Sequence, residues 1–234
     1  YESMHIEYEK GEETVRTQLE NSYQRGYGKR YYAKLKDLER GIEREFDNMV
    51  TAMLTFSASS ENAEGMARCP ADHMRDIARG WDTARKQLHQ VLDGEQWEYA
   101  KVWEPHESGY GHMHVGVFVD AGELEEGEFK PVLDSYRGAC KPAGRKAHTV
   151  ENAVSVNDDV ENLGSYISEY IGIFGERALD REMKEQMFYA TTWATGTRRV
   201  EFSNGAQEII SIQQWVRETG LRPQDRGGAG TSTS

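Results

Sequence analysis

Cysteine, lysine and long apolar runs are what this chain has least of. Its 234 residues hold two cysteines, Cys69 and Cys140, far apart and in no CxxC pattern. That excludes a disulfide scaffold and a cysteine-rich zinc site, and it suits a reducing cytosol. No apolar run approaches the ~18–20 residues that cross a bilayer, so a membrane partner is excluded and a cytoplasmic location is expected. No signal peptide opens the chain, and a start at Tyr1 without a Met reads as a segment of a longer protein. Positive charge is short as well. Lys and Arg total 28 against 40 Asp and Glu, a net charge of −12. That balance counts against a general nucleic-acid binder, whose phosphate contacts come from clustered Lys and Arg. Net charge does not set the local field of one groove, however. The 10 Lys against 18 Arg fit a protein kept soluble in a very salty cytoplasm, and equally an ordinary acidic surface.

What is present is enough chain for one large domain, or a domain with an extra arm, around a substantial core. Residues 1–28 are polar with little periodicity and are expected to form loop and frayed helix. Tyr32, Leu35, Leu38, Ile42 and Phe46 recur at helical spacing and predict a helix over 29–48. Residues 53–58 alternate like a strand. Pro70 and Asp72 open a helix that runs to about Leu92 and stops at Asp93-Gly94. Residues 97–104 and 112–120 form a predicted hairpin with a seven-residue loop between them. A short helix at 129–140 and a short strand at 150–156 follow. Asn157, Asp158 and Asp159 offer caps for a helix to about Phe174. A helix at 179–194, a strand at 199–203 and a helix at 207–218 complete the order, and the Gly/Ser/Thr-rich tail is expected to be flexible. There is no internal repeat and no regular βαβ rhythm. The pattern implies an α+β fold with a central antiparallel sheet, helices packed on one face and a cleft on the other.

The most informative segment is the second hairpin strand, Gly111-His112-Met113-His114-Val115-Gly116-Val117-Phe118-Val119. With a period of two, His112, His114, Gly116 and Phe118 share one face, and Met113, Val115, Val117 and Val119 the other. Two imidazoles at i and i+2 are well placed to share a divalent ion. On the preceding strand Trp97, Tyr99, Lys101 and Trp103 share one face, and Glu98, Ala100, Val102 and Glu104 the other. If Glu104 lies opposite His112, the aromatics meet Val119, Val117 and Met113, and the carboxylate joins the histidines. Such a mixed N/O set suits Mg²⁺ or Mn²⁺ as the working ion. His106 and Glu107, in the loop, compete with Glu104 as the third ligand, and a pair of surface histidines is the bland alternative.

In the predicted helix after Asn157, an apolar stripe of Val160, Leu163, Ile167, Ile171 and Phe174 has Tyr166 and Tyr170 at its edge, one turn apart. Taken alone, such a pair suits packing as well as chemistry.

Taken in order, these parts carry more than any one of them. A Thr/Ser-bearing strand precedes Glu104-Pro-His-Glu-Ser-Gly-Tyr-Gly-His112-Met-His114, and Tyr166-Ile-Ser-Glu-Tyr170 follows. The arrangement resembles the HUH endonucleases, in particular the two-tyrosine rolling-circle replication initiators (Rep) of plasmids and viruses of haloarchaea. The resemblance covers about residues 49–203. It implies an RRM/ferredoxin-like endonuclease domain, placed at 49–220, after an N-terminal polar segment and helix at 1–48 and before a flexible tail at 221–234. It implies His112 and His114 as metal ligands, with Glu104 as the acidic third, and Mn²⁺ or Mg²⁺ as cofactor. It implies Tyr166 and Tyr170 as nucleophiles that nick DNA through a 5′-phosphotyrosine. Single-stranded DNA at a replication origin is the implied partner, with host replication proteins beside it. One departure stands out: many relatives carry a Lys three residues after the second tyrosine, where this chain has Ile173. The acidic, lysine-poor composition then reads as halophilic.

Candidate DNA contacts are Arg25, Lys29, Arg30, Lys34 and Lys36, the group Arg137, Lys141, Arg145 and Lys146, and the pair Arg198 and Arg199. Any one of them also suits a solvated surface. A transposase or relaxase would share the chemistry. A metal-dependent hydrolase of a small molecule and a non-catalytic DNA-binding module are the rivals from other classes.

Overall fold

The computed structural model describes residues 5–11, 13–18, 25–157 and 181–220. Its centre is a five-stranded sheet in the order β6-β3-β5-β4-β7, every neighbouring pair antiparallel. The strands are β3 (Met49–Phe56), β4 (Gln96–Pro105), β5 (Gly111–Asp120), β6 (Val154–Asn157) and β7 (Val200–Phe202). Helix α2 (Pro70–Val91) connects β3 to β4, and α3 (Lys130–Ala139) lies between β5 and β6. From β3 to β6 the chain therefore runs strand-helix-strand-strand-helix-strand, the split βαβ arrangement of ferredoxin-like folds. The expected α+β class, with a central antiparallel sheet flanked by helices, is what the structure has.

One face of that sheet is built from the alternate residues Leu54, Phe56, Tyr99, Trp103, Met113, Val115 and Val117, almost all fully buried. They pack on α2 and α3 through close aromatic pairs, with the Phe56 ring 5.6 Å from Trp81 and 4.7 Å from Tyr136. The two helices press together at Gly80, where a Cβ would come within 2.5 Å of the Tyr136 ring.

The other face carries Thr51, Thr55, Glu98, Val102, Glu104, His112, His114 and Phe118, and it is not left open. Helix α1 (Arg25–Glu45) lies on it, with Tyr31 stacked on Phe202 at 6.1 Å. Helix α6 (Asn204–Thr219) packs on α1 and starts against β4. There the Glu98 carboxylate accepts the Ala206 N–H at 3.0 Å and the Ser203 hydroxyl. A strand carboxylate thus satisfies a helix N-terminus that has no side-chain cap of its own. The expectation of helices on a single face is corrected accordingly. It holds for α2 and α3, while the stripe of Leu35, Leu38 and Ile42 on α1 needs a second apolar surface and finds it on the site-bearing side.

Local differences have local causes. Residues 5–18 form a β-hairpin, β1 (His5–Lys10) and β2 (Glu13–Gln18), where loop and frayed helix were expected. Ile6 and Tyr8 pair with Thr17 and Val15, Arg16 bridges Glu7 at 3.1 Å, and Gly11 takes the positive φ of the turn. Charges on alternate positions mask that alternation. The short strand expected at 150–156 splits into one helical turn, α4 (Val150–Ala153), and β6. Helix α5 (Met183–Thr195) comes four residues later than expected. The helix expected from Asp158 to Phe174 and the tail at 221–234 lie outside the described residues, and Asn157 ends β6.

Candidate metal centre

The hairpin of β4 and β5 builds the site. Its register places Glu104 directly opposite His112, and Trp97, Tyr99 and Trp103 opposite Val119, Val117 and Met113. The apolar pairs are buried on α2, which fixes the phase of the strands, and that phase turns both imidazoles and the carboxylate to the other side. His114 Nε2 lies 2.5 Å from Glu104 Oε1, and His112 Nε2 lies 3.3 Å from the same oxygen. The two rings are edge to face with centroids 4.7 Å apart. Glu104 and His114 are each only 6% exposed, and one donor atom from each of the three residues lies within 4.8 Å of the others.

Neighbouring groups tune this cluster. Thr55, opposite His114 on β3, places its hydroxyl 3.0 Å from His114 Nδ1. That contact leaves Nε2 to face the carboxylate. Burial alone would raise the Glu104 carboxyl, but its hydrogen bonds and proximity to His112 and His114 outweigh burial and hold it below the usual carboxylate range. Two imidazoles turned to one buried carboxylate oxygen form a donor set that fits a divalent ion accepting mixed N and O ligands. His112 Nδ1, buried with no hydrogen-bond partner among the described residues, marks a ring held by packing and by what lies on its Nε2 side. Among the described residues no further His, Cys, Asp or Glu joins the group. Of the competing ligands, Glu107 is exposed in the loop, and His106 contacts Ser108 at 3.2 Å with its ring 5.7 Å from that of His112.

Among the described residues, two loops rim the cluster. The loop after β3 is tied down by groups that no sequence pattern singled out. Tyr136 donates its hydroxyl to the Ser57 carbonyl at 2.8 Å, and the Ser57 N–H donates to His148 Nε2 at 3.0 Å. His148 Nδ1 in turn donates to the Gly144 carbonyl at 2.8 Å. His73 Nε2 holds the Ala58 carbonyl at 3.0 Å, and Tyr110 donates to the Arg68 carbonyl at 2.6 Å. Burial lowers the pKa of both His73 and His148, so they serve as neutral struts. The second rim loop, between β4 and β5, lies against α5. A Cβ at Gly109, which has a positive φ, would sit 2.6 Å from the Lys184 carbonyl oxygen.

The remaining expected residues divide. Lys146 and Arg198 are exposed. Arg199 is not: at 1% exposure its guanidinium packs over the Tyr189 and Phe188 rings at 4.6 and 5.6 Å. The expectation of a DNA contact there is corrected, because that cation is spent inside the fold. Tyr166, Tyr170 and Ile173 lie outside the described residues. No described helix is long and apolar enough to cross a membrane.

Among known proteins, the family described as "Putative rep protein (DUF1424)" matches residues 2–219. An "Uncharacterized 36 kDa protein" of Halobacterium salinarum is 38% identical over 244 residues, covering 94% of this chain and 76% of the relative. A second protein of that name, from Halobacterium sp. (strain GN101), is 33% identical over 243 residues, covering 91% and 74%. No solved structure matches.

Proposed function

The chain belongs to this "Putative rep protein" family, which points to replication initiation, and we propose that it is the enzyme of that step: a site-specific, metal-dependent nicking and joining endonuclease acting on single-stranded DNA. The observation that carries the reading is the Glu104/His112/His114 cluster on one face of a ferredoxin-like sheet.

A divalent ion held there would polarise the oxygens of a scissile phosphate and orient it for in-line attack. The rest falls to the chain. Glu104, His112 and His114 would hold the ion, with Thr55 turning Nε2 of His114 toward it. Tyr166 or Tyr170 supplies the nucleophile. A phenol of ordinary pKa near 10 is weak at neutral pH, so alignment contributes much of the rate. Its oxygen attacks phosphorus, the bond to the 3′ oxygen breaks, and the phenolic proton leaves through solvent while the 3′ oxygen takes one up. The products are a 5′-phosphotyrosine and a free 3′-OH able to prime synthesis. Because the ester is conserved, attack by a 3′-OH reverses the step and joins strands without ATP. A second tyrosine permits a second nick before the first link is resolved. Lys146 and Arg198 are available to backbone phosphates. The strand is read as arriving unpaired, because a flexible single strand can bend its scissile phosphate into line with a tyrosine oxygen more readily than a stiff duplex can.

The test uses labelled single-stranded oligonucleotides from the host replicon with Mn²⁺, resolved on a denaturing gel. A DNA-linked protein band is expected, absent with EDTA and absent in Tyr166→Phe/Tyr170→Phe. Cleavage with no covalent adduct would mean that water is the nucleophile and would overturn the tyrosine assignment.

A further inference from the structure

Forty acidic residues are spread through this chain, yet none falls between Asp134 and Glu151. That acid-free segment holds four cations: Arg137, Lys141, Arg145 and Lys146. The fold gathers three of them around one concavity of about 460 Å³, lined by Asp134, Arg137, Gly138, Lys141, Ala143 and Arg145. The single carboxylate in the lining is already engaged, by Lys130 at 2.5 Å and by Arg137. Lys141 and Arg145 are exposed. A cationic hollow is thus set into a protein whose net charge is −12. The metal-centre chemistry has no use for it.

Its position gives it a use. The Pro142 carbonyl accepts the Ser59 N–H at 2.9 Å. His148, at the end of the same segment, holds the Ser57 N–H, and Tyr136, from α3, holds the Ser57 carbonyl. Ser57 is two residues beyond Thr55, the residue that touches His114. The hollow is therefore fastened to the end of the strand that supports the metal centre.

We infer that this concavity is a phosphate-backbone site for the single strand that enters the metal centre, resting on the proposed nuclease function and adding to it a second anchor away from the scissile bond. Arginine and lysine at this spacing suit phosphodiester oxygens, with Arg able to contact them in bidentate fashion. The small residues Gly138 and Ala143 leave the backbone room to approach.

The experiment compares Arg137→Ala/Lys141→Ala/Arg145→Ala with Arg75→Ala/Arg79→Ala/Lys86→Ala. The control removes the same charge from exposed positions on α2. Binding of a mixed-sequence labelled single strand is followed by fluorescence anisotropy in EDTA, across KCl concentrations at which both variants show wild-type circular dichroism. Losing three phosphate contacts flattens the log K against log salt slope by about 2 and weakens binding about tenfold for the concavity variant, with little change in the control. Equal loss in the two variants overturns the inference and leaves the nuclease reading intact. An equal loss on the duplex of the same sequence marks a general polyanion surface and overturns the single-strand assignment. If the wild type neither binds single strands nor forms the covalent adduct, the nuclease reading falls and this site falls with it.

Discussion

A histidine has two ring nitrogens, and which of them faces a bound ion is set by what the other one touches. For His114 that partner is the Thr55 hydroxyl, 3.0 Å from Nδ1. Thr55→Val keeps the β-branched shape of the strand and removes the hydroxyl. It should weaken Mn²⁺ binding about 10- to 100-fold by calorimetric titration, at unchanged circular dichroism, with Thr55→Ser restoring most of the affinity. A Val variant that binds Mn²⁺ like the wild type would show Thr55 to be a packing residue. His148 is a different kind of histidine. Both its nitrogens are engaged with backbone, and burial lowers its pKa, as it does for His73. A lowered folded pKa means that the unfolded chain takes up protons first. The stabilising contribution is whole above the ordinary histidine value of about 6.5 and is lost as pH falls from there through the folded value. Unfolding free energy in EDTA should therefore drop on acidification below about pH 6.5, before carboxylates titrate. His148→Gln, which can still accept the Ser57 N–H, should cost about 1 kcal/mol at neutral pH and flatten that drop. A variant with the wild-type pH profile would remove His148 from this account.

At the scale of elements, two helices that the βαββαβ core does not require shape the site-bearing face. Helices α1 and α6 meet at Gly41, where a Cβ would come within 2.0 Å of Ile209 Cγ2 on α6. Gly41→Ala should cost about 1–3 kcal/mol in urea unfolding despite the better helix propensity of alanine, because the buried, β-branched Ile209 side chain must give way. Gly26→Ala, near the start of the same helix with nothing within 4 Å, should be neutral or slightly stabilising. If the two variants unfold alike, the close crossing is not a constraint. The elements also differ in how far the sequence disclosed them. The β4–β5 hairpin was readable together with its register, since large apolar side chains alternate with Glu104, His112 and His114 over ten residues and a one-residue slip would bury the wrong set. Hairpin β1–β2 was not, because charge sits on alternate positions and Ile6 and Tyr8 remain about half exposed. Nor could periodicity along α1 say which face of the sheet its stripe would cover. The contacts of His148 and Tyr136 with Ser57 and of His73 with Ala58 join different elements, 91, 79 and 15 positions apart, and leave no local pattern to read. The burial of Arg199 was hidden for the same reason, since its partners Phe188 and Tyr189 belong to a different element.

The whole molecule adds a constraint that no single contact shows. A net charge of −12 on a chain of this size is self-repulsion held together by burial, and the relatives at 38% and 33% identity come from Halobacterium. Repulsion between exposed charges is screened as ionic strength rises, with the Debye length falling to about 3 Å at 1 M. The unfolded chain spreads the same charge over a larger volume and gains less from screening, so salt favours the compact state. Thermal unfolding followed by circular dichroism should therefore show a Tm that climbs with KCl. Exposed Glu123 and Glu125 lie in an acidic stretch just before α3. Replacing both with Gln should raise the low-salt Tm and make the climb shallower, while leaving Mn²⁺ affinity at Glu104, His112 and His114 unchanged. A Tm indifferent to KCl would mean that the acidic surface is electrostatically neutral to folding. The cationic hollow at Arg137, Lys141 and Arg145 would then stand in a surface whose charge does not act on folding. A climbing Tm sets a harder condition on that hollow. Salt that keeps the fold intact also weakens phosphate contacts, so a strand would have to be held there by geometry and bidentate hydrogen bonds more than by long-range attraction.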